Sequence, residues 1–167
     1  MSKLTALAVS IAVLGGVWAF LALGPLAGNV LVWAGFIAWG CYFALGADTG
    51  ALQKTIVGMI YGAVIAGVAL ALVGANPLGL PSPAGPAVYI AVTVFLLVIV
   101  ANIPLLSAVP ANVYGYAATA AYALQTANAG SVTAMNLTNP VLLVIVSAIL
   151  GAIFGMVSGK LAGMLGK

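Results

Sequence analysis

Only five side chains of this sequence carry a formal charge: Lys3, Lys54, Lys160 and Lys167, and one acid, Asp48. With no histidine and a single carboxylate, there is no base for a Ser-His-Asp arrangement and no second acid for a carboxylate pair. A metal centre needs several His, Cys or acidic ligands, so no metal is expected, and no cofactor. The single cysteine, Cys41, excludes an intramolecular disulfide. Four lysines make no basic patch, which removes nucleic acid as a partner despite a pI near 9.2. The inventory argues against an enzyme.

What remains for chemistry is neutral: hydroxyls, amides and aromatic rings at helical spacing. Phe36, Trp39 and Tyr42 stand three residues apart, along one face of a helix. Tyr116, Thr119 and Tyr122 repeat that spacing later in the chain. Facing each other across a pseudo-two-fold axis, the two triplets would form a narrow aromatic constriction lined by a few hydroxyls. Asn102 and Asn112 would add amide contacts near its cytoplasmic end. Aromatic belts at the membrane interface are the competing explanation, and they suit Trp33, Tyr61 and Tyr89 better. Asp48, Lys54 and Lys160 are assigned to the cytoplasmic mouth, where Asp48 reads first as part of a solvated turn and second as a gate.

These side chains need a scaffold, and composition says which solvent it faces. The chain is 65% hydrophobic and 3% charged, against roughly 25% charged residues in a soluble domain. Such a set cannot coat a water-facing globule, so the protein is expected to be integral to a membrane, with lipid as its surroundings. A crossing helix needs about 20 apolar residues. Polar, Pro and Gly punctuation divides the chain into six such runs, at approximately 5–23, 29–47, 52–74, 86–102, 107–126 and 139–163. The first has the charge-then-apolar look of a signal peptide, but it is too long for one and more spans follow. With six crossings and both termini inside, all four lysines fall on the cytoplasmic face, in accord with the positive-inside rule.

The chain also says something twice. GFIAWGCYFALGADTG, from Gly35, is echoed without a gap by GYAATAAYALQTANAG, from Gly115. ALGPL from Ala22 is matched by ANIPL from Ala101, and GMIYGAVIAGV from Gly58 by SAILGAIFGMV from Ser147. The fold class expected is therefore an all-α polytopic membrane protein of six transmembrane helices, built as one domain (1–167) from two three-helix repeats. Repeat one covers about 5–74, an extracytoplasmic linker about 75–85, and repeat two about 86–163. Three spans is an odd number, so the copies enter the membrane from opposite sides. Inverted repeats of this kind characterise transporters and channels.

Gly58 and Gly62 on the third span, and Gly151, Gly155, Gly159 and Gly163 on the sixth, recur every fourth residue. In lipid, close backbone approach at small residues supplies helix packing. The plain reading is contact between these two helices within one protomer. The sharper one makes the sixth span a subunit interface.

The size, the six hydrophobic runs and the stretch Gly-Phe-x-Ala-Trp-Gly-x-Tyr-Phe-Ala-x-Gly, Gly35 to Gly46, resemble the DUF1097 family of bacterial inner-membrane proteins. The resemblance implies a small, multi-pass bacterial inner-membrane protein and carries no site residues, since the family is uncharacterised. Apart from Lys160, near the inner end of the sixth span, no span interior carries an Asp, Glu, His, Lys or Arg, and such groups normally mark proton relays and charged-substrate sites. The function expected is a channel or facilitator for a small neutral solute of the urea or short-amide class, assembled as a homo-oligomer. One alternative is a secondary transporter for a weak acid or small metabolite. Another is a structural or regulatory subunit docking a partner through its glycine faces.

Overall fold

Apolar runs interrupted by Pro, Gly and Asn fold here into helices. The computed structural model describes residues 1–166, and Lys167 of the expected inner-face set lies outside them. Six α-helices follow one another: α1 Lys3–Leu23, α2 Val32–Ala44, α3 Thr49–Ala75, α4 Ala84–Ile99, α5 Val109–Gln125 and α6 Pro140–Leu165. Among the described residues there is no β-strand, only one isolated bridge between Ala27 and Val30.

Among the described residues, four segments are long and apolar enough to cross a membrane: Lys3–Leu23, Thr49–Ala75, Ala84–Asn102 and Pro140–Leu165. The second and fifth expected runs are shorter as helices than as hydrophobic stretches. α2 has 13 residues and α5 has 17, which at 1.5 Å per residue span about 20 Å and about 25 Å of a core about 30 Å thick. The reason is local. Gly24, Pro25 and Gly28 turn the chain before α2, and Gly46 and Ala47 turn it after, each with positive φ at Gly28, Gly46 and Ala47. Backbone donors in the first turn are satisfied internally, from Leu26 to Leu21, Ala27 to Gly24 and Asn29 to Leu26.

The long helices start on side-chain caps. Asp48 accepts from the Ala51 N–H at 2.6 Å to begin α3. Asn139 accepts from the Val141 N–H at 2.8 Å to begin α6, with Pro140 in the first turn where its missing N–H costs nothing.

α3 and α6 touch at the centre. α5 lies along α3 and α2 lies along α6, while α4 covers α3 and α1 covers α6. Glycine permits the two tightest crossings. A Cβ on Gly62 would run into the Asn112 carbonyl oxygen of α5, and one on Gly151 into the backbone of Gly35 in α2. Gly58, Gly62, Gly151 and Gly155 thus pack within the chain, but their partners are α5 and α2 rather than one another. Gly58 meets Ala111 and Asn112, and Gly155 meets Trp39 and Tyr42. Gly159 makes ordinary contact with Phe43 and Tyr42, and Gly163 opens onto empty space and packs nothing.

Candidate functional site

The α2–α3 turn is held by a side-chain hydrogen bond and a helix cap. Ala47 sits at φ 58, a conformation costly for a residue with a Cβ. The Tyr42 hydroxyl, one turn earlier, donates to its carbonyl at 2.5 Å and holds it there. Asp48 follows with its carboxylate turned into the start of α3. These residues form one wall of a cavity of about 480 Å³. The other wall comes from the first turns of α1, with Lys3 and Leu7, and the end of α6, with Met156, Gly159, Lys160 and Gly163. Gly159 and Gly163 leave the room that a larger side chain would fill. The cavity has a polar rim of Lys3, Asp48, Thr49 and Lys160 over an apolar body that includes Leu7, Phe43 and Met156. That volume lies within the range of sites for small ligands.

One helical turn deeper, the polar groups are all neutral. The Trp39 indole N–H donates to the Ser158 hydroxyl at 3.0 Å, and that hydroxyl donates to the Gly155 carbonyl at 2.8 Å. Ser10 of α1 donates to the Ser158 carbonyl at 2.7 Å. All three side chains are buried. Phe36 stacks on Trp39 with centroids 5.6 Å apart, and Phe154 tilts against it at 6.0 Å.

The sequence-predicted residues separate into two places. Trp39 and Tyr42 turn toward α6, and the Phe36 ring lies against Gly15 of α1. The second triplet has different neighbours. Tyr116 pairs through its hydroxyl with Thr93 of α4 at 3.1 Å, and buried Thr119 donates to the Gly115 carbonyl of its own helix at 3.0 Å. Tyr122, half-buried, lends only its carbonyl, to Thr126 at 2.6 Å. The two triplets do not meet within the chain: the first packs against α1 and α6, and Tyr116 of the second pairs with α4. Between α2 and α5 lies instead an apolar groove in which Phe36 and Trp33 share a surface with Tyr114.

The two asparagines also part company. Asn112 is fully buried and donates through Nδ2 to the carbonyls of Leu97 at 3.2 Å and Leu106 at 3.1 Å. It thereby pins the irregular link between α4 and α5. Its Oδ1 has no hydrogen-bond partner and lies against Gly58, a geometry that invites a weak Cα–H contact. Asn102 is exposed and reaches only the Ile99 carbonyl at 3.5 Å. Of the three mouth residues, Asp48 and Lys160 line the cavity and half-buried Lys54 does not. Lys3, Ser10 and Ser158 were not singled out by sequence reasoning. Ser158 had a signal, since it stands within the glycine-spaced GMVSGK run of α6.

This chain belongs to the DUF1097 family, described as proteins of unknown function, whose model matches residues 8–163. No curated protein and no solved structure matches it.

Proposed function

We propose that this DUF1097 protein is a membrane channel or facilitator for a small neutral solute of the urea or short-amide class. The observation that carries the reading is the order of polar groups below the cavity. Charge stops at the rim, and the next groups inward are an indole N–H and two hydroxyls, Trp39, Ser158 and Ser10. Neutral donors and acceptors in a narrow space select by size and hydrogen bonding without holding an ion. Passage itself requires a further opening beyond Trp39, between α2 and α6.

The same reading takes the chain as two inverted three-helix repeats, about 5–74 and 86–163, making six crossings with both termini on the lysine-bearing side. Helix partners support it. Exchanging α1 with α4, α2 with α5 and α3 with α6 converts the α2–α6 contact into α5–α3, and α1–α6 into α4–α3. Individual residues follow the same exchange. The buried positions of α3, from Ala51 through Gly62 to Ala69, recur at one constant offset on α6, from Pro140 through Gly151 to Ser158. Gly151 crosses α2 at Gly35, and Gly62 crosses α5 beside Gly115, the two glycines aligned by the sequence echo. Ala47 and Ala127, also aligned, both have positive φ.

Stopped-flow light scattering on proteoliposomes tests the function, with water, glycerol, urea, formamide and acetamide as solutes. Equilibration faster than in empty liposomes with a sharp size limit is expected. No enhancement for any solute, in vesicles holding folded protein, refutes it. One observation favours the secondary-transporter reading: Asp48, Lys3 and Lys160 share the rim, so a weak acid would meet both signs of charge there. Solute uptake that follows an imposed pH gradient or membrane potential would select that alternative.

A further inference from the structure

The rim of the cavity has a chemistry that passage of a neutral solute does not use. Lys3 on the first turn of α1 and Lys160 near the end of α6 both border it. The two helix ends are in contact there: a Cβ on Gly166 would stand 3.3 Å from the Lys3 Cα and 3.5 Å from the Ala6 Cβ. The ammonium groups are therefore carried by two helices that close one side of the cavity. The carboxylate on the opposite wall, Asp48, is committed to the Ala51 N–H and the positive end of α3. Two cations against one occupied carboxylate leave the rim with an excess of positive charge. Beneath it, Leu7, Phe43 and Met156 are apolar.

A ligand that fits has a compact anion joined to hydrocarbon, and it arrives from the bilayer. Basic pockets between membrane helices are the usual seats of anionic lipid head groups, and lysine holds phosphate as a point charge. We propose that this cavity binds the phosphate of an anionic phospholipid, with Lys3 and Lys160 taking the phosphate and Leu7, Phe43 and Met156 receiving the start of an acyl chain. The inference is independent of solute passage, because it is read by binding and not by flux.

The test uses delipidated full-length protein in neutral detergent, titrated with phosphatidylglycerol and followed by native mass spectrometry. Phosphatidylcholine with the same acyl chains and inorganic phosphate are the comparison ligands. Wild-type protein is expected to retain one phosphatidylglycerol in preference to phosphatidylcholine. Affinity should fall roughly 30-fold in the double variant Lys3→Gln, Lys160→Gln, at about the contribution expected per lysine near a membrane surface. Lys54→Gln, on the same end of the molecule but outside the cavity, should bind as wild type. Equal loss in Lys54→Gln would reduce the effect to diffuse surface charge and overturn the site. So would unchanged binding in the double variant, or equal retention of phosphatidylcholine. Displacement of the lipid by millimolar inorganic phosphate would overturn the lipid as source and make the ligand a free phosphate. Both lysines are exposed, so the variants are expected to fold; the charge-preserving Lys160→Arg, which should keep the preference, checks this.

Discussion

Gly62→Ala tests the close crossing of α3 and α5. The added methyl would overlap the Asn112 carbonyl oxygen and stand 2.7 Å from the Tyr116 nitrogen. Both are backbone atoms of α5 and cannot rotate away, so α5 must move out. Forcing a methyl into a close-packed crossing costs about 1–3 kcal/mol, and the upper end applies where backbone meets backbone. Moving α5 also stretches the Asn112 bonds to Leu97 and Leu106, already 3.2 and 3.1 Å long, for about 1 kcal/mol more. Against this, alanine gains about 1 kcal/mol over glycine in a helix. The net expectation is a loss of roughly 3 kcal/mol. Gly16→Ala is the control, since a Cβ there meets nothing within 4 Å, and it should leave stability unchanged or raise it by up to about 1 kcal/mol. Reversible unfolding in mixed micelles, titrated with denaturing detergent and followed by tryptophan fluorescence, measures both. Equal stabilities for the two variants would refute the close crossing of α3 and α5.

Ser147→Ala removes the hydroxyl that accepts the Leu31 N–H at 2.8 Å and donates to the Leu143 carbonyl at 2.7 Å. It should cost about 1 kcal/mol in the same unfolding assay, because it leaves the half-buried N–H of Leu31, the residue that precedes α2, without its acceptor. Tyr42→Ala frees the Ala47 carbonyl and widens the cavity, so solute flux in proteoliposomes should change. Tyr122→Ala touches no wall of that cavity and should leave flux as it is; equal effects would restore a shared constriction.

The sequence declared its solvent and its close packing, and it concealed partners. Glycine every fourth residue announces that a backbone will come near, but a glycine has no side chain by which to name what approaches. Gly58 and Gly62 face α5, and Gly151 and Gly155 face α2, pairings that depend on the whole bundle. Hydropathy has a related blindness. It counts apolar residues across 29–47 and cannot see that Gly46 and Ala47 leave the helix, so a long run yields a helix of 13 residues. The aromatic triplets were legible as helix faces because spacing sets a face. Which way the face looks was not, since that is decided by single hydrogen bonds such as Trp39 to Ser158 and Tyr116 to Thr93.

Positions that the proposed repeat duplicates and positions that it does not are under different physical constraints. A glycine at a backbone crossing admits almost no replacement, and the proposed repeat pairs two such glycines, Gly62 and Gly151. A residue at the rim of a cavity meets little and can diverge. Under the same alignment Lys3, Asp48 and Lys160 correspond to Ser82, Asn128 and Ala71, so every charge at the cavity is replaced by a neutral group at the opposite end. On the proposed topology, positive-inside bias would account for lysines gathering on one face. It does not account for two of them bordering one cavity while Lys54 stands outside it. If the proposed repeat makes the two ends alike in packing, the charged rim still makes them chemically distinct, which is why ligand chemistry specific to this protein is best sought at Lys3 and Lys160.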